Sequence, residues 1–203
     1  FRTMKIGGRG VGAGSAPLVI AEMSGNHNQS LERALEIVDA AAQSGAHALK
    51  IQTYTAETMT IDIREGEFFI SDEKSLWKGE SLFDLYKKAY TPWEWHEAIF
   101  DRAKKHKMLA FSTPFDRTAV DFLEDLNVPC YKIASFENTD LPLIRYVAAT
   151  GKPMIISTGM ATFAELDERI TRLANHLLSI GIKRGEHVGV HAQNTHEWVE
   201  AFY

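Results

Sequence analysis

What most constrains the fold of this chain is a repeated unit: an apolar strand ending in a polar residue, a turn, an amphipathic helix, then another such strand. It is clearest between residues 19 and 53. Leu18-Val19-Ile20-Ala21 runs into Glu22, and the polar loop Met23-Ser24-Gly25-Asn26-His27-Asn28 follows. Ser30 caps a helix whose apolar positions Leu31, Ala34, Leu35, Val38 and Ala41 recur at helical spacing, and Gly45 closes it. The strand at 47–52 then alternates, with Leu49 and Ile51 facing one way and Lys50 and Gln52 the other. An acid and a base thus stand at equivalent ends of neighbouring strands.

The rest of the chain keeps this rhythm. Further strands are expected at 108–112, 130–134, 153–157 and 187–192. Helices are expected to about 106, to about 126, over 141–149, to about 180 and from about 195. Thr91-Pro92-Trp93-Glu94 reads as a capping box with proline at the first helical position, and Thr162-Phe163-Ala164-Glu165 as a second one. A long insertion at 54–90, with a helical piece at 81–90, has the length of a lid or binding loop. The glycines at 7, 8, 10, 12 and 14 suit a loose lead-in or a short hairpin.

Strict alternation of strand and helix predicts a parallel sheet, either doubly wound or closing into a barrel. The polar strand ends choose between them. Glu22, Lys50 with Gln52, Ser112 with Thr113, Lys132 with Ser135, and Ser157 with Thr158 follow successive strands. In a barrel those ends converge on one mouth, whereas a doubly wound sheet gathers them at one switch point behind a glycine-rich first turn. The first turn here has only Gly25. The expected fold is α/β, an incomplete TIM-type (β/α) barrel of about six βα units, the last of different character.

Composition excludes some partners. A net charge of −5 without blocks of like charge argues against a nucleic-acid surface, and no apolar run approaches membrane-spanning length. The lone Cys130 cannot form an internal disulfide, and no signal peptide precedes the first strand, which fits a reducing cytoplasm. Phe1 precedes Met4, and Tyr203 falls inside an apolar pattern, so both ends read as cut.

Two lysines and several hydroxyls on one rim suit a small phosphorylated or carboxylated ligand, since ammonium groups supply charge and hydroxyls orient oxygens. Glu22 beside them can exchange a proton or hold a sugar hydroxyl. Two alternatives stay open: Lys50 and Lys132 as structural ions paired with Glu22 and other neighbours, or a lysine forming a Schiff base with a carbonyl substrate.

Five ordered stretches carry a family resemblance: Ile20 to Asn28, Ala48 to Tyr54, Phe111 to Asp116 (Phe-Ser-Thr-Pro-Phe-Asp), Tyr131 to Glu137 (Tyr-Lys-Ile-Ala-Ser-Phe-Glu) and Ile156 to Ala161. Together they resemble the sialic acid synthase family over roughly residues 4–165. The form Glu22-Met23-Ser24-Gly25-Asn26-His27-Asn28 and the segment Tyr90 to His96 resemble its pseudaminic acid synthase branch. The resemblance implies a barrel enzyme joining phosphoenolpyruvate to an open-chain 2,4-diacetamido-2,4,6-trideoxy hexose, an N-acetylated amino sugar, with water attacking and phosphate leaving by C–O cleavage. By matching position it implies that Lys50, Thr113, Lys132, Ser135 and Ser157 hold phosphoenolpyruvate, that Glu22 serves the reacting centre and that Gln52 serves the sugar. It also implies a divalent metal, Mn or Mg, polarising the sugar aldehyde, with ligands beyond this chain, and a homodimer in the intact family.

After about Thr162 the text changes. Phe163 to Ile170, Arg172 to Leu178, Gly181 to Val190, Asn194 and Glu197 to Phe202 resemble the N-terminal segment of adenylate-forming acyl-CoA ligases. This divides the chain into a synthase-type part, 1–162, and a ligase-like tail, 163–203, whose helix and strand can continue the barrel. A chimera of this kind is expected to be inactive or impaired, or to serve as a binding or self-associating module, because an open sheet leaves unpaired edges. His191 ends the last strand, but one histidine falls short of a metal site, and His187 lies roughly 13 Å away along that strand. His96 and His106 are expected on a surface helix, His27 is a candidate for lining the site, and Trp93 and Trp95 are expected to pack.

Overall fold

The computed structural model describes residues 4–12, 14–159 and 171, together with the backbone of a strand at 188–191. The chain divides into two units, Phe1–Leu18 with Asn127–Tyr203, and Val19–Leu126. The first unit opens on the hairpin that the early glycines allow: β1 (Met4–Ile6) pairs antiparallel with β2 (Arg9–Val11). Gly7 and Gly8 make the turn at φ of 56° and 84°, a region that costs glycine nothing.

The Val19–Leu126 unit runs β3 (Ile20–Glu22), α1 (Leu31–Gln43), β4 (Ala48–Thr53), α2 (Ala56–Met59), α3 (Leu82–Ala89), α4 (His96–Lys105), β5 (Leu109–Pro114) and α5 (Arg117–Asp125). β3 is parallel to β4 with Glu22 opposite Lys50, and β4 is parallel to β5 with Gln52 opposite Thr113. The alternation read from the sequence assigns the faces. Leu49 and Ile51 are buried with Ala34, Val38 and Ala41 of α1, Ile99 and Ala103 of α4, and Met23 and Met108. Full burial of each large aliphatic side chain contributes about 1.5–3 kcal/mol, which pins the strand in this register and turns Lys50 and Gln52 to the other face.

The helices start where short polar side chains cap them. Ser30 accepts from the Arg33 amide, Ser81 from that of Asp84, and Asp116 from those of Thr118 and Ala119. The capping box expected at Thr91 is not formed. Pro92 precedes a single 3-10 turn, Trp93–Trp95, and the α-helix begins only at His96. The Thr91 hydroxyl instead lies 3.2 Å from His27 Nε2.

The first unit resumes with β6 (Tyr131–Ile133), α6 (Leu141–Ala148), β7 (Met154–Ser157) and β8 (Val188–His191). Asp140 caps α6 by accepting from the Leu143 amide. β6 is parallel to β7, and β7 to β8, so the strand within the tail continues that sheet, Ser157 opposite His191. The join at Thr162, the helix expected to about 180 apart from Thr171, the helix expected from 195, and His187 lie outside the described residues. Among the described residues no helix is long and apolar enough to cross a membrane.

Candidate active site

In the Val19–Leu126 unit, the C-terminal ends of β3, β4 and β5 bring Glu22, Lys50, Gln52 and Thr113 onto neighbouring strand ends. The Lys50 ammonium is ion-paired with the Glu22 carboxylate; the two side chains are 15% and 42% exposed. The pairing left open from the sequence is therefore made for Lys50. A half-exposed pair of this kind stabilises by less than about 1 kcal/mol, so an incoming anion can compete for the cation. The Ser24 hydroxyl donates to Gln52 Oε1 at 3.2 Å, which leaves the amide hydrogens on Nε2 to donate elsewhere. Thr113 is only 1% exposed, so Glu22, Lys50 and Gln52 form the accessible part of this group.

Ser24 is held by a loop under strain. Ser24, Asn28 and Gln29 have φ of 50°, 47° and 56°, which non-glycine residues adopt at a cost. The loop is fixed from several sides. Asn26 Nδ2 donates to the Met23 carbonyl at 2.8 Å, Arg33 Nε to that of Asn26 at 2.9 Å, and Gln29 Nε2 to those of Tyr90 and Lys88 at 2.6 and 3.0 Å. Gly25 lies so close to the end of α3 that a Cβ there would sit 2.9 Å from the Ala89 carbonyl oxygen. The loop after β3 is thereby fastened to the end of the insertion.

His27 does not line an open site. It is buried, its Nδ1 accepts from the Gln29 amide, so Nε2 carries the hydrogen toward Thr91, and Trp95 packs edge-on at 5.5 Å. Burial lowers its pKa. His96 is likewise buried rather than on a helix surface, and its pKa is pushed down by burial to about 4. His106 is on the surface at the end of α4, where Nε2 meets Asp39 at 2.7 Å. The tryptophans pack as expected, Trp93 stacking on Phe122 at 4.8 Å.

The other unit carries its own group. Lys132, 8% exposed, donates to the Ser157 hydroxyl and, at 2.7 Å, to the Ile133 carbonyl oxygen. Ser135 precedes the 3-10 turn Phe136–Thr139. In that turn Glu137 has a buried Oε2 with no hydrogen-bond partner, and burial raises its pKa, helped by Asp140 and opposed by Lys132. A carboxyl so placed holds a proton to higher pH than usual. Glu137 stands two residues after Ser135 in the same motif, where spacing alone gives no sign of its burial.

The comparison of sequences assigns the family. The NeuB family model matches residues 37–187. The chain belongs to the NeuB family. This NeuB chain is 48% identical over 155 residues to the pseudaminic acid synthase of Helicobacter pylori, covering 76% of this chain and 45% of that protein. It is 45% identical over 148 residues to the pseudaminic acid synthase of Campylobacter jejuni, covering 73% and 43%. It thus spans less than half the length of these relatives. The N-acetylneuraminic acid synthetase of Leptospira borgpetersenii, solved with citrate, superposes with a TM-score of 0.71 at 26% identity over 86% of this chain and 55% of that one. A truncated 3-deoxy-D-arabino-heptulosonate 7-phosphate synthase of Thermotoga maritima, 14% identical, shares the fold with a TM-score of 0.60. The fold of the NeuB chain is α/β, an incomplete TIM-type (β/α) barrel.

Among the described residues no three His, Cys, Asp or Glu side chains group as metal ligands would. These residues do not form a site for the divalent metal that the family resemblance implies. Cys130 is buried, which pushes its thiol up to about 12 and leaves it a poor nucleophile.

Proposed function

We propose that this chain forms the phosphoenolpyruvate side of a pseudaminic-acid-synthase-type enzyme. In that reaction C3 of phosphoenolpyruvate bonds to the aldehyde carbon of a 2,4-diacetamido-2,4,6-trideoxy hexose, water adds at C2, and the C2–O bond breaks to release phosphate. The observation that supports this reading most is the strand register, Glu22 opposite Lys50 and Gln52 opposite Thr113, which gathers an acid, a base and an amide where barrel enzymes do their chemistry. Lys50 binds an anionic oxygen of phosphoenolpyruvate once Glu22 turns away, and the released carboxylate is then available for a proton at the reacting centre. Gln52 donates through Nε2 to a sugar oxygen, and Thr113, opposite it on the neighbouring strand, serves phosphoenolpyruvate. Lys132, oriented by Ser157, and Ser135 serve phosphoenolpyruvate as a second anion-binding group. A divalent metal, held by ligands that this chain does not supply, would provide Lewis-acid activation of the aldehyde.

Calorimetric titration with phosphoenolpyruvate tests the reading. Binding is expected, and Lys50→Ala and Lys132→Ala each weaken it about tenfold or more, the scale of one charge-assisted hydrogen bond. Absence of binding by the folded chain would defeat the proposal.

A second reading, a binding or self-associating module without catalysis, draws on the exposure of Leu76 and Phe136, each 91% exposed, and of Trp77. Light scattering distinguishes it: a monomer across a wide concentration range removes self-association.

A further inference from the structure

On the far side of β4 and β5 from Lys50 and Gln52, three polar side chains interrupt an otherwise apolar layer. Thr53, Ser112 and His96 are each fully buried. His96 Nε2 lies 2.8 Å from Thr53 Oγ1, and Thr53 Oγ1 lies 2.6 Å from Ser112 Oγ. The proton positions follow from the other end of the ring. His96 Nδ1 faces the Pro92 carbonyl oxygen at 3.2 Å, and a carbonyl can only accept, so Nδ1 carries the ring hydrogen. A buried neutral imidazole then has Nε2 as acceptor, so Thr53 donates to it. Thr53 has spent its one hydrogen, so Ser112 donates to Thr53. The chain of hydrogen bonds has a single direction, Ser112 to Thr53 to His96 to Pro92.

Two of the three members sit next to residues of the proposed site. Thr53 follows Gln52, and Ser112 precedes Thr113; the register sets Gln52 opposite Thr113 and Thr53 opposite Pro114. A strand passes side chains to alternate faces, so fixing Thr53 and Ser112 on the layer side fixes the backbone from which Gln52 and Thr113 project. Backbone hydrogen bonding alone would hold the two strands together. The side-chain chain does more, tying both strand ends to the first residue of α4 and, through Pro92, to the turn before it. An apolar layer has no such directionality, and replacing the hydroxyls by methyl groups would keep the volume while losing the orientation.

We infer that Thr53, Ser112 and His96 are positioning residues, a buried one-directional hydrogen-bond chain that sets the orientation of Gln52 and Thr113 for ligand binding. The significance for phosphoenolpyruvate and sugar rests on the function proposed above; the geometric effect does not. The test therefore has two independent readouts on the whole chain. Nuclear magnetic resonance follows the Gln52 side-chain amide and the Thr113 methyl without any ligand, and calorimetry measures phosphoenolpyruvate binding.

Thr53→Val, nearly isosteric, is expected to shift both signals, lower their order, and weaken phosphoenolpyruvate about tenfold, the effect of losing an outer support. Thr53→Ser, which keeps the hydroxyl, is expected to restore the signals and bring affinity back to within about twofold. If Thr53→Val does not fold, Ser112→Ala takes its place, since it removes the outer donor and leaves His96 satisfied. Variants that lose thermal stability while both signals and the affinity stay at their wild-type values would overturn the inference. A wild type that binds no phosphoenolpyruvate, while Thr53→Val still disturbs Gln52 and Thr113 and Thr53→Ser restores them, would support the positioning and sink the substrate reading instead.

Discussion

The two faces of strands β4 and β5 are built from the same backbone and differ in what they give up. On one face Lys50 and Gln52 stay partly exposed, Lys50 held by a carboxylate and Gln52 by a hydroxyl. On the other, Leu49, Ile51, Thr53 and Ser112 are sealed against α1 and α4. The sealed face stabilises the fold and fixes geometry. The open face has contacts weak enough to exchange for a ligand. The separation of stability from binding is what changes on either face should reveal.

The largest effect is expected on the sealed face. Ile51→Ala removes a fully buried side chain from the cluster around α1 and α4 and is expected to cost about 2–5 kcal/mol, read from urea denaturation. A cost near zero would mean that this layer is not the core.

Acid should act on the same face. His96 is held neutral, with burial bringing its pKa down from 6.5 to about 4, partly offset by the hydrogen bond to Pro92. The unfolded chain takes up this proton below about pH 6.5 and the folded chain only near pH 4, so stability present above 6.5 is lost as pH falls toward 4. The loss attributable to His96 is about 3 kcal/mol, at 1.4 kcal/mol per tenfold change in proton affinity. It is read as the difference between the urea midpoints of wild type and His96→Gln from pH 7 to pH 4. Parallel curves for the two proteins would show that His96 is not buried as described.

Gly25→Ala examines the boundary between the faces, because its Cβ would press on the Ala89 carbonyl, backbone that cannot simply rotate away. A loss of about 1–3 kcal/mol in thermal unfolding is expected, together with loosening of the Ser24 contact to Gln52. An unchanged melting temperature would show that the loop is not fastened to α3. The smallest stability change belongs to the open face: Glu22→Gln is expected to cost under about 1 kcal/mol, because the pair with Lys50 is half solvated. A larger loss on denaturation would make the pair structural.

The open face is legible in the sequence, and the sealed network is not. Leu49 and Ile51 alternate with Lys50 and Gln52 within six residues, so period alone assigns them, and the glycines at 7 and 8 mark their turn locally. Thr53 lies 43 residues before His96, and Ser112 lies 59 residues after Thr53. No local pattern joins them. The capping-box reading also starts the helix at Thr91, whereas the 3-10 turn at 93–95 delays α4 and turns His96 inward. The usable signal is a small one: Thr53 and Ser112 are hydroxyl residues on faces that otherwise read as apolar. Glu137 escapes notice for a different reason, because its orphaned Oε2 is a property of burial that spacing does not carry.

The most direct measurement is calorimetric titration of phosphoenolpyruvate into wild type and Lys50→Ala, with unfolding of both followed in parallel. The account predicts that Lys50→Ala unfolds within about 1 kcal/mol of wild type yet binds about tenfold more weakly or worse. Equal affinity in the two proteins, or no heat of binding in folded wild type, would contradict it.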